Sequence, residues 1–459
     1  MAHEHLINPR EYEHTRSFIE EYGLLAHDPG LARLLQTLRA DHPRAIDVRL
    51  WEAVRARTSQ FETFHREYPF LVAPPGTLNG RLLRTPLRQA ADNQPLTLDP
   101  SELAEHVGIF GRSGGGKTTC AHHFAHEAYR QGLSVVTIDG KDDARSFPIT
   151  YPETIIIDKD TPIPLLEPPS WLTVGEARPQ LIKPLRETMW GGEGLEQVAT
   201  ESLAHTFARH EQPSVADWRD EIRALARKGD TYSRRDRCDG LALRLDRLIT
   251  QYAGMGTTRV GSGIPLGVLC TRSVYFGFGL HTQLEDFITQ WLLELRFSYN
   301  RARSRRALNT FVLMDESNLL VHDKTIGERA PLATTFPLLR EYGISVGLTA
   351  NTYRAVPPAI RANLHLQIAM NLTDATEATE IARTFGLKDA ARDYLDKKLT
   401  RGIAIAKLAD RWKHPFLVHV EPLQIRKVVD ATDWQAARDR TRALARTAGA
   451  RGGGDGRPG

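Results

Sequence analysis

The stretch Val107-Gly108-Ile109-Phe110-Gly111-Arg112-Ser113-Gly114-Gly115-Gly116-Lys117-Thr118-Thr119 decides the reading of this chain. Its middle is a complete G-x-x-x-x-G-K-[ST] phosphate loop. The apolar run Val107 to Phe110 before it predicts a strand, and Thr119 to Tyr129 after it predicts a helix. Strand, loop and helix in that order separate a nucleotide site from a chance cluster of glycines. Gly111, Gly114, Gly115 and Gly116 let the backbone wrap phosphates with its N–H groups turned inward, and Ser113 and Thr119 flank them. The following helix adds the partial positive charge of its N-terminus. Lys117 is placed to reach the β- and γ-phosphates of ATP, and Thr118 to offer its hydroxyl to Mg²⁺.

Working outward, the pattern from about residue 101 is α/β. Apolar strands are expected at 107–110, 134–138, 154–157, 311–314, 344–349, 366–370 and 403–406, with helical segments between several of them. This alternation predicts a mostly parallel sheet covered on both faces. Residues 1–94 read as mainly helical, an adaptor or oligomerisation region. Leu31, Leu34, Leu35 and Leu38 share one helical face, and Val48, Trp51 and Val54 repeat the spacing. Asn79-Gly80 predicts the turn of a small hairpin. The core is expected over 95–425, with a helical insertion at about 170–255. A basic helix and a flexible glycine-rich tail are expected over 426–459.

Bulk properties bound the function. The 459 residues are 41% hydrophobic and 25% charged, as in globular proteins, and the net charge is only +4. No apolar run approaches the roughly 20 residues of a membrane helix. The three cysteines, Cys120, Cys238 and Cys270, are scattered, so neither a disulfide framework nor a zinc site is implied. A cytoplasmic location is expected. Basic residues cluster at Arg234, Arg235 and Arg237, at Arg301, Arg303, Arg305 and Arg306, and at Arg438, Arg440, Arg442, Arg446 and Arg451. Each cluster reads as a solvated face or a phosphate contact.

Several further residues complete a nucleotide site. Phe311-Val-Leu-Met314 ends in Asp315 and Glu316. Asp315 is placed to hold Mg²⁺ and Glu316 to polarise the attacking water, although such a pair also caps helices. Asp139 ends the strand Ser134–Ile138, either as a ligand at the sheet rim or as a turn former with Gly140. Asn351 ends another strand and is placed to read the γ-phosphate. Arg340, just before that strand, is placed to face a neighbouring subunit's nucleotide. His122 and His126 stand one helical turn apart with no third ligand in view, so packing is favoured over metal binding. Cys120, at the start of its helix, reads as a buried thiol, and the apolar face of 284–297 as core rather than membrane surface.

These motifs in this order resemble the FtsK–HerA superfamily of ring-forming ATPases over about residues 95–410. The carriers are His106–Thr118, the Thr-Ile-Asp139-Gly-Lys-Asp-Asp segment, Arg340-Glu-Tyr-Gly343, and Asn363 to Met370 followed by Asp374 to Gly386. Two positions depart from that family's pattern: Asn351 stands where Gln is usual, and Gln367 where many members have Arg. The resemblance implies a RecA-like core and a homo-hexamer with ATP and Mg²⁺ between subunits. It further implies DNA, double-stranded and bound without sequence preference, as the translocated partner. The other function class kept open is a regulatory ring that scaffolds or switches an effector, such as a nuclease or a secretion partner.

Overall fold

The computed structural model describes residues 9–37, 48–81, 83–188, 193–228, 231–277, 283–315, 331–372, 374–423 and 429–449. Eleven strands form one sheet: β1 (Leu83–Gln89), β2 (Pro95–Leu98), β3 (Val107–Phe110), β4 (Ser134–Asp139), β5 (Ile155–Ile157), β6 (Val274–Gly277), β7 (Thr310–Met314), β8 (Ile344–Ala350), β9 (Leu366–Ala369), β10 (Ile403–Leu408) and β11 (Phe416–Val420). Their order is β2-β1-β11-β10-β9-β3-β8-β7-β4-β6-β5. The block from β9 to β5 is parallel throughout, and β10, β11, β1 and β2 extend it as antiparallel neighbours.

Alternation within the strands explains why both faces are covered. In β7, Phe311 and Leu313 enter one apolar cluster while Val312 and Met314 enter the other. The first face receives the helix Lys117–Arg130, whose Cys120, Ala121, Phe124, Ala125 and Ala128 recur at helical spacing and are all buried. The second face receives the helix Gln283–Ala302 and, beyond it, the helices Val174–Thr188, Glu193–Arg209, Val215–Lys228 and Tyr232–Gln251. The helix Gln283–Ala302 is buried from Leu284 through Asn300 at nearly every position, so it is a core helix rather than an amphipathic surface one.

Other expectations shift. Asn79-Gly80 is not a hairpin tip. Gly80 N–H donates to Thr97 O (3.0 Å) and Thr97 N–H to Leu78 O (2.9 Å), so 78–80 lines the flank of β2. The hairpin joins β1 to β2 through 90–94 instead, because Leu83, Leu87, Leu96 and Leu98 bury there. The boundary expected at 94/95 therefore falls inside that hairpin, and the sheet begins at β1. Sequence reading missed β1, β2, β6 and β11. β2, β6 and β11 are short, and β1 carries Pro86 as well as two arginines.

The N-terminal helices Pro9–Glu21, Pro29–Thr37 and Val48–Glu67 build a small apolar cluster around Leu31, Trp51 and Val54. Leu38 lies outside the described residues. The C-terminal helix Ala431–Gly449 is latched to β5: Thr441 Oγ1 accepts from Ile156 N–H (3.0 Å), Arg438 pairs with Asp158 and Asp160, and Arg442 pairs with Asp160. Arg438 and Arg442 thus serve a structural contact. Arg451 and the glycine-rich tail lie outside the described residues.

Candidate nucleotide-binding site

β3, β8 and β7 are adjacent and parallel, so their C-terminal ends open on one rim of the sheet. Three sequence-distant groups meet there: the phosphate loop after Phe110, Asp315 after β7, and Asn351 after β8. The loop needs its glycines. Gly111, Gly114 and Gly116 have φ of 155°, 77° and 103°, a region side chains avoid. A Cβ on Gly111 would also stand 2.9 Å from Met370 Cβ, because Arg112 N–H is tied to Asn371 O at 2.8 Å.

Lys117 Nζ donates to Asn351 Oδ1 (2.8 Å) and to Arg112 O (3.0 Å). The amide expected to sense the γ-phosphate is thus already bonded to the lysine expected to bind it. Thr118 Oγ1 donates to Asp315 Oδ2 (3.1 Å), and Thr349 Oγ1 donates to Asp315 Oδ1 (2.5 Å). Asp315 is 2% exposed, and a buried carboxylate held by two hydroxyls is a hard oxygen cluster suited to Mg²⁺. Thr349 was not anticipated. Its signal was an ordinary polar residue inside an apolar strand. Glu316 lies outside the described residues.

Asp139 resolves as a turn former. Its carboxylate accepts from Lys141 N–H (3.0 Å), Ala144 N–H (2.7 Å) and Tyr275 O–H (3.1 Å). Burial raises its pKa, against the lowering effect of those backbone bonds. His126 Nδ1 meets Tyr151 Oη at 2.9 Å, and burial pushes its pKa down to about 3, so it is a neutral packed histidine. His122 is buried beside it, and neither belongs to a group of potential metal ligands among the described residues. Burial raises the Cys120 thiol well above its ordinary value, which excludes a reactive thiolate there.

Arg340 is not on this rim. It ends the helix Pro331–Glu341 and lies at the entrance to β8, where Arg340 Nη1 donates to Glu105 Oε1 (2.8 Å) just ahead of β3. The length of β3, roughly 13 Å, separates it from its own phosphate loop. Half of its side chain is exposed. Close by, His106 is fully buried. Val346 N–H donates to its Nδ1 (3.1 Å), so its Nε2–H is left to donate to Phe336 O (3.2 Å). Among the other basic clusters, Arg234 pairs with Glu201 at 2.6 Å, and Arg303 stacks over Tyr299 at 3.9 Å.

A phosphate loop, a strand-end acid and a strand-end amide on adjacent parallel strands define a RecA-like P-loop nucleotide-hydrolase fold. Residues 80–165 match the family model described as the central domain of helicase HerA. The chain is similar to VirB4 of Thermoanaerobacter pseudethanolicus at 15% identity, over 76% of this chain and 98% of that one, with a TM-score of 0.57. It is similar to the bacterial conjugative coupling protein TrwB, in a form designated TrwBdeltaN70, at 12% identity, over 79% of this chain and 94% of that one, with a TM-score of 0.60. It also resembles plasmid coupling protein TrwB in complex with ADP and Mg²⁺, at 13% identity, over 78% of this chain and 96% of that one, with a TM-score of 0.57. No curated protein sequence matches the chain. The match to the HerA central domain covers residues 80–165, and the fold is shared with VirB4 and TrwB.

Proposed function

We infer that this protein is a ring-forming motor that hydrolyses ATP at subunit interfaces and moves DNA without reading its sequence. The observation that carries the reading is the split of the site. Lys117, Thr118, Asp315 and Asn351 gather on one rim, while Arg340 stands exposed at the other. An arginine so placed completes a phosphate site only in a neighbouring copy, and a head-to-tail contact of that kind is the one from which a ring is built when the rotation between copies closes. A hexamer follows from the superfamily resemblance.

Within that ring Lys117 binds the β- and γ-phosphates. Thr118 and Asp315 would hold Mg²⁺, which supplies charge neutralisation at those phosphates. Glu316, next in sequence to Asp315, takes the proton of the attacking water. Asn351 exchanges its bond with Lys117 for one with the γ-phosphate and so distinguishes the nucleotide states. Arg340 of the adjacent copy leaves Glu105 and stabilises the charge that develops on the transferred phosphoryl group. DNA contacts made to phosphates are independent of sequence and weaken steeply with salt.

No helix among the described residues is long and apolar enough to cross a membrane. The test is ATP turnover with and without double-stranded DNA, alongside molar mass by light scattering. A ring-sized mass with turnover stimulated by DNA is expected. A ring whose turnover ignores DNA would overturn the motor and point to the partner-switching alternative.

A further inference from the structure

Away from the phosphate loop, the structure holds a second concentration of positive charge. A cavity of about 500 Å³ opens between β9, β10 and the helix Ala375–Phe385. Arg361, Arg383, Lys407 and Lys413 line it, and Glu380 is the one carboxylate in its wall among the described residues. Glu380 is shared between Arg361 (3.3 Å) and Arg383 (2.9 Å). Lys407 and Lys413 form no ion pair among the described residues. His365 also lines the cavity, and Glu102, Glu105 and Asp410, which do not, surround it at 3.2–3.9 Å.

Lys407 is the telling residue. It sits in β10 directly opposite Gln367 of β9, half-buried, with its ammonium donating to the carbonyl of Thr384 at 2.7 Å. That carbonyl belongs to the last turn of the helix, so the helix dipole favours the cation, yet no counter-charge accompanies it. Burial lowers the pKa of the amine. Arg361 is stacked on Tyr353 at 4.6 Å from the ring centroid, and its Nε is buried with no acceptor among the described residues. Tyr353 in turn donates to Gln367 Oε1 at 3.2 Å, which fixes the ring that carries the guanidinium. A half-buried ammonium without a counter-charge among the described residues and a guanidinium with an orphan donor, both held in place in one concave wall, are the groups a phosphate satisfies. A concave wall with three surplus positive charges also concentrates anions from solution.

We propose that this cavity is a second phosphate-binding site, distinct from the phosphate loop, with Lys407 and Arg361 as its central contacts and Lys413 and Arg383 at its mouth. Its volume admits a phosphoryl group of a nucleotide or a short run of nucleic-acid backbone, and the chemistry of recognition is the same for both. The site does not depend on hydrolysis at Lys117.

The test uses the full chain saturated with ADP and Mg²⁺, so that the phosphate loop is occupied. Pyrophosphate is titrated by calorimetry, and a short DNA duplex by fluorescence anisotropy. Lys407→Met keeps the aliphatic stem, and Lys413→Glu changes only an exposed side chain, so the second variant keeps the test valid where the first alters folding. Each substitution is expected to weaken pyrophosphate binding by about tenfold or more while leaving ADP affinity unchanged. Loss for pyrophosphate alone assigns the site to nucleotide or free phosphate. Loss for the duplex, with or without pyrophosphate, assigns it to nucleic-acid backbone. Unchanged affinity for both ligands in both variants overturns the proposal.

Discussion

Arg340→Ala separates a catalytic arginine from a structural one by magnitude. The contact it removes inside the subunit is the ion pair with Glu105, made by a side chain that is 53% exposed. Exposed pairs contribute about 0–1 kcal/mol, so the variant is expected to fold with stability close to that of the parent. The contact it removes across the interface is a guanidinium on a developing phosphoryl charge, which contributes roughly 10³–10⁵ in rate, or about 4–7 kcal/mol of barrier. A rate loss that exceeds the stability loss several-fold in free energy is the expected signature. Steady-state ATP turnover and thermal unfolding on one preparation measure both quantities. Mixing then locates the residue. In rings made from equal amounts of Arg340→Ala and Lys117→Ala subunits, about a quarter of the interfaces pair an intact loop with an intact arginine, and turnover is expected to recover toward that fraction. Turnover of Arg340→Ala within a few-fold of the parent, or no recovery at any mixing ratio, refutes an arginine acting in trans.

Three further outcomes are expected. Glu316→Gln should bind ATP with parental affinity and turn over at least about 10²-fold more slowly, and normal turnover in that variant would remove Glu316 as the base. Asp315→Asn should weaken the Mg²⁺ dependence of nucleotide binding, measured by titrating Mg²⁺ against a fluorescent nucleotide, because the buried carboxylate facing Thr118 becomes neutral; an unchanged Mg²⁺ midpoint would contradict the assignment. The third concerns pH. Burial holds the pKa of His106 down at about 4, while the unfolded chain titrates near 6.5. Between those values the unfolded state binds the extra proton, so stability is full above about pH 6.5 and falls as the pH drops toward 4, by about 3 kcal/mol at most. Urea unfolding from pH 7.5 to 4.5 follows this, and His106→Gln should flatten part of the slope. A slope identical in the variant would assign the loss to other groups, His126 first among them.

The sequence by itself determined the chemistry and the fold class. A phosphate loop is contiguous, so its glycines, Lys117 and Thr118 are legible as one word. The apolar runs of β3, β4, β7 and β8 are legible because a strand buried on both faces carries few polar residues. Only the tertiary structure decided what sits beside what. Asp315 and Thr349 belong to different strands, and the parallel register of β7 and β8 makes them neighbours. Asp139 had two readings in one dimension, and the fold closed its carboxylate onto two backbone amides and Tyr275. The arginines near the C-terminus read as a solvated face or a phosphate contact until Asp158 and Asp160 were brought against Arg438 and Arg442 from far along the chain. Lys407 carried no signal at all. Its meaning comes from being a cation opposite Gln367 and beside a helix end, with no ion pair among the described residues. Local order is written in spacing along the chain. Charge balance depends on distances in space, which follow only once the strands have chosen their neighbours.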